Sequence, residues 1–285
     1  MPAYNSEHTI RQALESIAAQ TLKPAEIIVV DDGSTDNTPL IASSFPGVKY
    51  VRQDNSGVSE ACNTGAREAS CQWIAFLDSD DIWEKEKLQT QIALIISDKS
   101  LVWCSCNGKY INKRTDTAGL IYPEAIAEEL MKNGRMNYLD AAAKGLIWVR
   151  STLLIRRDVF LEVGGFRKGI NAAEDLDLFL NTAYKYPQIG YINQPLLSYF
   201  VYNQNSLSSV NLSKQIKDMS EVALSHLRRH KQMPILREIF KPRIKFWINS
   251  LCEEGQKTKA AMLYLKFFRY LSWSMRHQML KRIMW

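Results

Sequence analysis

The first hundred residues alternate short apolar runs with stretches whose apolar residues recur at helical spacing, and this alternation leaves few folds open. Glu26-Ile-Ile-Val-Val30, a segment near Val48 to Val51 and Trp73-Ile-Ala-Phe-Leu77 read as strands. Between them, Ile10, Leu14, Ile17 and Ala18 share one helical face, and a further helix runs through Asn63-Thr-Gly65. The order βαβαβαβ predicts an α/β fold with a mostly parallel sheet flanked by helices, since parallel strands need crossover connections. Ligands of such sheets bind beyond the carboxyl ends of the strands. There the run Trp73–Leu77 delivers Asp78-Ser79-Asp80-Asp81 onto a turn before a helix beginning near Glu84. Carboxylates so placed suit a hard divalent cation that keeps water and binds substrate phosphates. An isolated acidic triplet equally suits capping of a helix N-terminus.

The second half adds Ser151–Ile155 as a strand, Arg157–Val163 as a short helix and Gly164-Gly165-Phe166 as a turn. A helix with Leu176, Phe179, Leu180 and Ala183 on its buried face carries Glu174 and Asp175 in its first turn, where carboxylates are electrostatically favoured.

Pro2-Ala3-Tyr4-Asn5, Asp31-Asp32-Gly33-Ser34-Thr35-Asp36, Ser56-Gly57-Val58-Ser59 through Gly65, and Phe76-Leu77-Asp78-Ser79-Asp80-Asp81 occur in this order. Together they closely resemble the family 2 glycosyltransferases of GT-A fold, over roughly residues 1–208. The resemblance implies an inverting transfer of a sugar from a nucleoside diphosphate donor, a UDP- or dTDP-sugar, to a hydroxyl of a glycan or lipid-linked acceptor. It implies a divalent cation, Mg²⁺ or Mn²⁺, with Asp80 as direct ligand and Asp78 at the donor ribose or the metal waters. Tyr4 would lie against the base, Pro2 and Ala3 would lend backbone contacts, and Asp32 would accept from the ring NH of uracil or thymine. As a residue in a turn, Asp32 could instead bond its own loop. The segment Gly164-Gly165-Phe166 followed by Glu174-Asp175-Leu-Asp177-Leu is similar to the family's base-bearing segment, which makes Asp175 the expected catalytic base. Chemically, an acceptor hydroxyl needs a carboxylate within about 3 Å to take its proton, and a departing diphosphate needs cationic compensation.

Several positions depart from that pattern. Met1 directly precedes Pro2 where the family has an apolar central strand, so either the coding start lies upstream or the sheet is left incomplete. Cys62 and Phe200 stand where the family often has Arg, Cys71 where Gly is common, and Tyr202 where a His can bind metal. These departures keep open an alternative, a non-catalytic nucleotide-sugar-binding relative, against which Asp80 and Asp175 argue. A nucleotidyltransferase is disfavoured because no Gly-rich phosphate loop follows the first strand. A carboxylate-pair hydrolase would not need the uridine-type motifs.

At 285 residues, the chain suits one sizeable α/β core and an appendage. The expected organisation is a GT-A domain over 1–208, with a nucleotide-binding half (1–106) and an acceptor-side half (107–208), then a basic helical extension over 209–285. Five cysteines without zinc spacing, including Cys104-Ser-Cys106 in a probable strand, read as core residues in a reducing compartment. No export signal or spanning apolar run is present, so a cytoplasmic protein is expected. From Lys214 to Trp285 there are 16 Lys and Arg against 5 Asp and Glu, so with a whole-chain charge of +6 the preceding residues carry the opposite sign. From Lys259 onward one helical face gathers Ala261, Tyr264, Leu265, Phe268, Leu271, Met275, Met279 and Ile283, and the other gathers Lys259, Lys266, Arg269, Arg276 and Lys281. Such a helix either packs on the catalytic domain or lies on an anionic membrane surface, with Trp247, Trp273 and Trp285 suited to the headgroup layer. No recognition-helix or single-strand signature points to nucleic acid.

Overall fold

The computed structural model describes residues 1–112, 114–146, 149–170, 172–201 and 212–284. Tyr202 and Trp285, singled out above, lie outside the described residues. The expected alternation is realised as β1 (Pro2–Ala3), α1 (Ile10–Ala18), β2 (Ile27–Asp31), α2 (Thr38–Ser43), β3 (Val48–Arg52), α3 (Val58–Glu68) and β4 (Trp73–Ala75). There follow β5 (Ile82–Trp83), α4 (Lys87–Ser97), β6 (Trp103–Asn112), β7 (Thr117–Leu120), α5 (Glu124–Leu130), β8 (Arg135–Asn137) and α6 (Tyr138–Ala143). A 3-10 turn (Arg150–Thr152) precedes β9 (Leu154–Arg156), α7 (Arg157–Glu162), α8 (Glu174–Lys185) and β10 (Gln188–Val201). The helices α9 (Leu212–Arg229), α10 (Ile235–Glu253), α11 (Lys257–Phe267) and α12 (Trp273–Met284) end the chain.

Residues Met1–Ala141 with Leu146–Ser209 make one compact unit, and Ala142–Gly145 with Val210–Trp285 another. In the first unit, α1 buries Ile10, Ala13, Leu14 and Ile17, while Ala18 faces outward. The strand β2 pairs in parallel with β1 and β3. A second sheet has the order β4-β9-β6-β10-β5 and is mixed. There β6 and β10 are parallel, whereas β4 with β9, β9 with β6 and β10 with β5 are antiparallel. Thus the parallel character is strongest in the nucleotide half. On β6, Cys104 and Cys106 are fully buried, and so are the alternate Ser105 and Asn107, as in a strand covered on both faces. This strand runs through position 106, so the two expected halves share it. Part of the segment expected to be the strand Ser151–Ile155 is instead the 3-10 turn, because Arg150 and Ser151 turn their side chains to polar partners described below.

The two sheets are separated by an apolar cavity of about 360 Å³. It is lined from one side by Ile27 and Ile28 of β2 and from the other by Trp73, Ile74 and Ala75 of β4, with Ala61, Ala66 and Leu88 closing it. Among the described residues β4 pairs on one side only, with β9, and its three residues are only half-buried because they line this space. The Met1 ammonium sits at its end, donating to the Ile28 carbonyl at 2.8 Å, and burial pushes its pKa down. The gap lies between two strand edges and is apolar on its walls, as a further strand would need. An engineered extension of about five apolar residues ahead of Met1 is therefore expected to raise Tm by at least about 5 °C, through burial and through loss of the buried charge. Differential scanning calorimetry checks this, and an unchanged or lower Tm would show that the cavity does not accept a strand.

In the second unit, α10 buries Leu236, Phe240, Ile244, Trp247 and Ile248. The helix expected to continue from Lys259 to Ile283 is broken: a 3-10 turn at Phe268–Tyr270 and an extended Leu271 separate α11 from α12. The break lets Phe267, Tyr270 and Leu271 all be buried, with the Phe267 ring 6.3 Å from that of Trp247. The expected apolar stripe is thereby divided. Tyr264, Leu271 and Met279 are core, whereas Leu265 is 70% exposed and Phe268 42%. Trp273 is 80% exposed, and Phe246 and Met262 are also on the surface.

Candidate active site

The expected site residues come from the ends of β1, β2 and β4 and from the first turn of α8. Pro2 and Ala3 are buried in β1, and Tyr4, about half exposed, stands just beyond it. The next loop contributes Asp31 and Asp32. Both are buried, and both accept hydrogen bonds from neighbouring loops. Asp31 accepts from Ser34 N, Tyr50 Oη and Arg52 Nη1 and so braces the turn at Gly33. Asp32 Oδ1 accepts from Gln53 Nε2 and Ser56 N at 2.7 and 2.9 Å, and Oδ2 from Gly57 N at 2.8 Å, which holds the loop entering α3. Asp32 is thus a loop organiser here. Its Oδ2, with one bond, retains lone-pair capacity for a further donor.

The third loop carries Asp78, Asp80 and Asp81, whose oxygens lie within 4.8 Å of one another. Ser79 Oγ meets Ser6 Oγ at 2.8 Å, tying this loop to the one after β1. Three carboxylates in such proximity could hold a hard divalent cation, and their oxygen donors fit Mg²⁺ or Mn²⁺. The three differ in their commitments. Asp81 is buried, with Oδ2 accepting from Ser151 Oγ at 2.6 Å, and burial together with Asp78 and Asp80 pushes its carboxyl well above the ordinary range. Asp78 is held by Arg150 in a two-bond fork, Nε to Oδ1 at 2.7 Å and Nη2 to Oδ2 at 2.8 Å.

Arg150 is the residue that the sequence reading did not single out. Its side chain is 6% exposed. Besides Asp78 it meets Glu174 Oε1 through Nη1 at 2.9 Å and Asp175 Oδ1 at 3.5 Å, and its backbone N–H donates to Asp175 Oδ2 at 2.9 Å. The guanidinium also lies 5.6 Å from the centre of the Phe166 ring. One cation therefore joins the acidic loop after β4 to the first turn of α8. A signal was available: a lone Arg in the apolar stretch Leu146–Ile155 is costly to bury unless carboxylates meet it.

Backbone geometry explains the neighbouring turn. Gly165 has φ +64°, and a Cβ there would come within 2.5 Å of Asn63 Oδ1. Asn63 in turn clamps Phe166 by accepting from its N–H and donating to its carbonyl. Ala173, at φ +66°, occupies a left-handed conformation immediately before Glu174. Asp175 is raised to about 7: burial raises it most, Arg150 opposes, and Glu174 and Asp78 add to the rise. A carboxylate titrating there is matched to proton abstraction at neutral pH. The arrangement brings Asp78, Asp80, Asp81, Glu174 and Asp175 together, whereas Asp32 and Tyr4 stand at neighbouring strand ends.

This fold, with an Asp-rich loop after β4 and an acidic pair opening α8, is the GT-A arrangement. It superposes on the structure of S. aureus TarS 1-349 in complex with UDP-GlcNAc with a TM-score of 0.69 at 21% identity, covering 94% of this chain and 87% of that one. The chain belongs to glycosyl transferase family 2, whose model matches residues 1–164. Among relatives, it is 36% identical over 137 residues to the Escherichia coli UDP-Glc:alpha-D-GlcNAc-diphosphoundecaprenol beta-1,3-glucosyltransferase WfgD, a match that spans 47% of this chain and 54% of WfgD. It is 26% identical to the uncharacterized glycosyltransferase RP339 of Rickettsia prowazekii across 82% of this chain and 73% of that protein.

Proposed function

We propose that the chain is an inverting glycosyltransferase that moves a sugar from a UDP-sugar to a hydroxyl of a lipid-linked or glycan acceptor. The observation that carries this reading is the Arg150 bridge, which sets a carboxylate matched to neutral pH, Asp175, beside the acidic loop. Asp175 takes the acceptor proton as the oxygen attacks the anomeric carbon, and Arg150 fixes the carboxylate's orientation through its backbone N–H. The sugar–phosphate bond breaks on the opposite side, and the electron pair leaves with the diphosphate. A divalent cation, with Asp80 as ligand and Asp78 and Asp81 beside it, supplies charge compensation there when bound. Tyr4, Pro2, Ala3 and Asp32 provide the nucleotide side, with Asp78 toward the ribose. A UDP donor is supported by the UDP-GlcNAc complex of TarS and by the donor in the name of WfgD. A diphosphate-lipid acceptor is supported by the latter. Release of UDP or dTDP from a panel of nucleotide sugars, with Mn²⁺ or with chelator, tests the proposal. No metal-dependent release from any donor, with or without acceptor, would leave a binding protein only.

The second unit is proposed to hold the enzyme on an anionic membrane surface. Phe246, Met262, Leu265 and Trp273 are exposed apolar side chains on helices rich in Lys and Arg, and no helix among the described residues is long and apolar enough to cross a membrane. Adsorption of this kind is reversible and salt-sensitive. Co-sedimentation with liposomes containing phosphatidylglycerol is expected, lost at high salt and in Leu265→Ser/Trp273→Ser. Equal recovery in the supernatant with anionic and neutral liposomes would refute the membrane role.

A further inference from the structure

The helical unit contains a second concave site, separate from the carboxylate cluster. A cleft of about 210 Å³ is lined by Leu227 and His230 at the end of α9, by Lys231 and Met233 in the connection, by Arg237 in the first turn of α10, and by Arg269 and Tyr270 in the 3-10 turn. No Asp or Glu among the described residues lines it. Among the described residues, Lys231, Arg237 and Arg269 form no ion pair with a carboxylate, although other basic residues of the same unit do, Lys241 with Glu238 and Arg282 with Glu253. All three are exposed, and together they make a positive lining that an anion would neutralise. Two further features agree in sign. The cleft opens at the N-terminal turn of the 19-residue α10, where the helix dipole is positive. Tyr270 is more than nine-tenths buried, and the Arg269 guanidinium lies 4.9 Å from the centre of its ring, which holds that cation at the cleft.

We infer that this cleft binds a phosphate or diphosphate group, and that its apolar walls, Leu227, Met233 and the Tyr270 ring, accept the start of an apolar chain attached to that group. Two guanidinium groups and an ammonium offer forked and point-charge contacts to phosphate oxygens. The volume admits a diphosphate head with a short length of chain. The inference does not depend on the donor chemistry at Asp80 and Asp175.

Calorimetry on the full chain tests it in chelator-containing buffer, which silences metal-dependent binding at the acidic loop. The probes are inorganic pyrophosphate, a water-soluble short-chain prenyl diphosphate, and phosphatidylglycerol vesicles. Saturable binding of the prenyl diphosphate is expected, weakened about tenfold or more in Lys231→Gln/Arg237→Gln/Arg269→Gln. It should change less than about twofold in Arg228→Gln/Lys245→Gln/Lys257→Gln, which removes as much charge from the same unit outside the cleft. Pyrophosphate binding as tightly as the prenyl diphosphate assigns the cleft to a free diphosphate; a strong preference for the prenyl compound assigns it to a lipid carrier's head; cleft-dependent binding to vesicles alone assigns it to phospholipid. Absence of saturable binding to all three, or equal weakening by the two triple variants, overturns the inference.

Discussion

Asp175→Asn is expected to lower kcat by about 10²–10⁴-fold while leaving the affinity for UDP and Mn²⁺ within about twofold, as removal of a general base does. The amide keeps the size of the side chain and can still accept from Arg150 N, so the loop and α8 stay in place. Asp80→Ala should do the reverse on binding, abolishing metal-dependent affinity together with transfer, because it serves the leaving group. Steady-state kinetics with calorimetry separates the two. Transfer by Asp175→Asn at near wild-type rate would remove the base assignment. The pH dependence carries the same sign: the base acts when deprotonated, so kcat/KM of the wild-type protein should rise with pH and level off above about 7. It should fall as Asp175 takes up its proton below that value.

Arg150→Met is expected to be the most damaging single change to stability, by about 3–5 kcal/mol, because it leaves carboxylates in the interior without their counter-ion. For a chain of this size that corresponds to a Tm lower by roughly 10 °C. Asp78 loses both of its forked bonds, and Glu174 and Asp175 lose their shared cation. Because Arg150 holds the Asp175 pKa down against burial, its removal should also move the break in the pH–rate profile upward. Arg150→Lys keeps a charge but not the fork, and should recover part of the stability and little of the rate. Thermal melts and pH profiles of both variants check this. A Met variant as stable as wild type, with an unmoved break, would show that the bridge is incidental.

The parts of this site that were legible in the sequence are those written in local patterns. The short apolar runs and the 3.6-residue spacing around Ile10, Leu14 and Ile17 set the strand and helix order, because burial on one or both faces is a property of neighbours in the chain. The acidic cluster fell where a strand must hand over to a loop, so its closeness in space followed from adjacency. The motif resemblance supplied the family, and with it the expectation for Asp175.

What lay beyond the sequence depended on partners far apart in the chain. Arg150 meets Asp78 across 72 positions and Glu174 across 24, and no local pattern says which carboxylates will surround a buried cation. Asp32 reads as a base acceptor or as a loop brace, and only the fold shows that Ser56 N and Gly57 N bond its oxygens. The amphipathic pattern after Lys259 read as one helix, yet the chain turns at Phe268–Tyr270, because burying Phe267, Tyr270 and Leu271 together outweighs continuing the helix. That turn also brings Arg269 and Tyr270 to the same cleft as Arg237. The sequence by itself determined the order of elements and the chemical types at the strand ends, since both follow from local periodicity. Only the tertiary structure decided which charges neutralise one another and which stay unpaired, since that depends on distances between segments the chain does not connect directly.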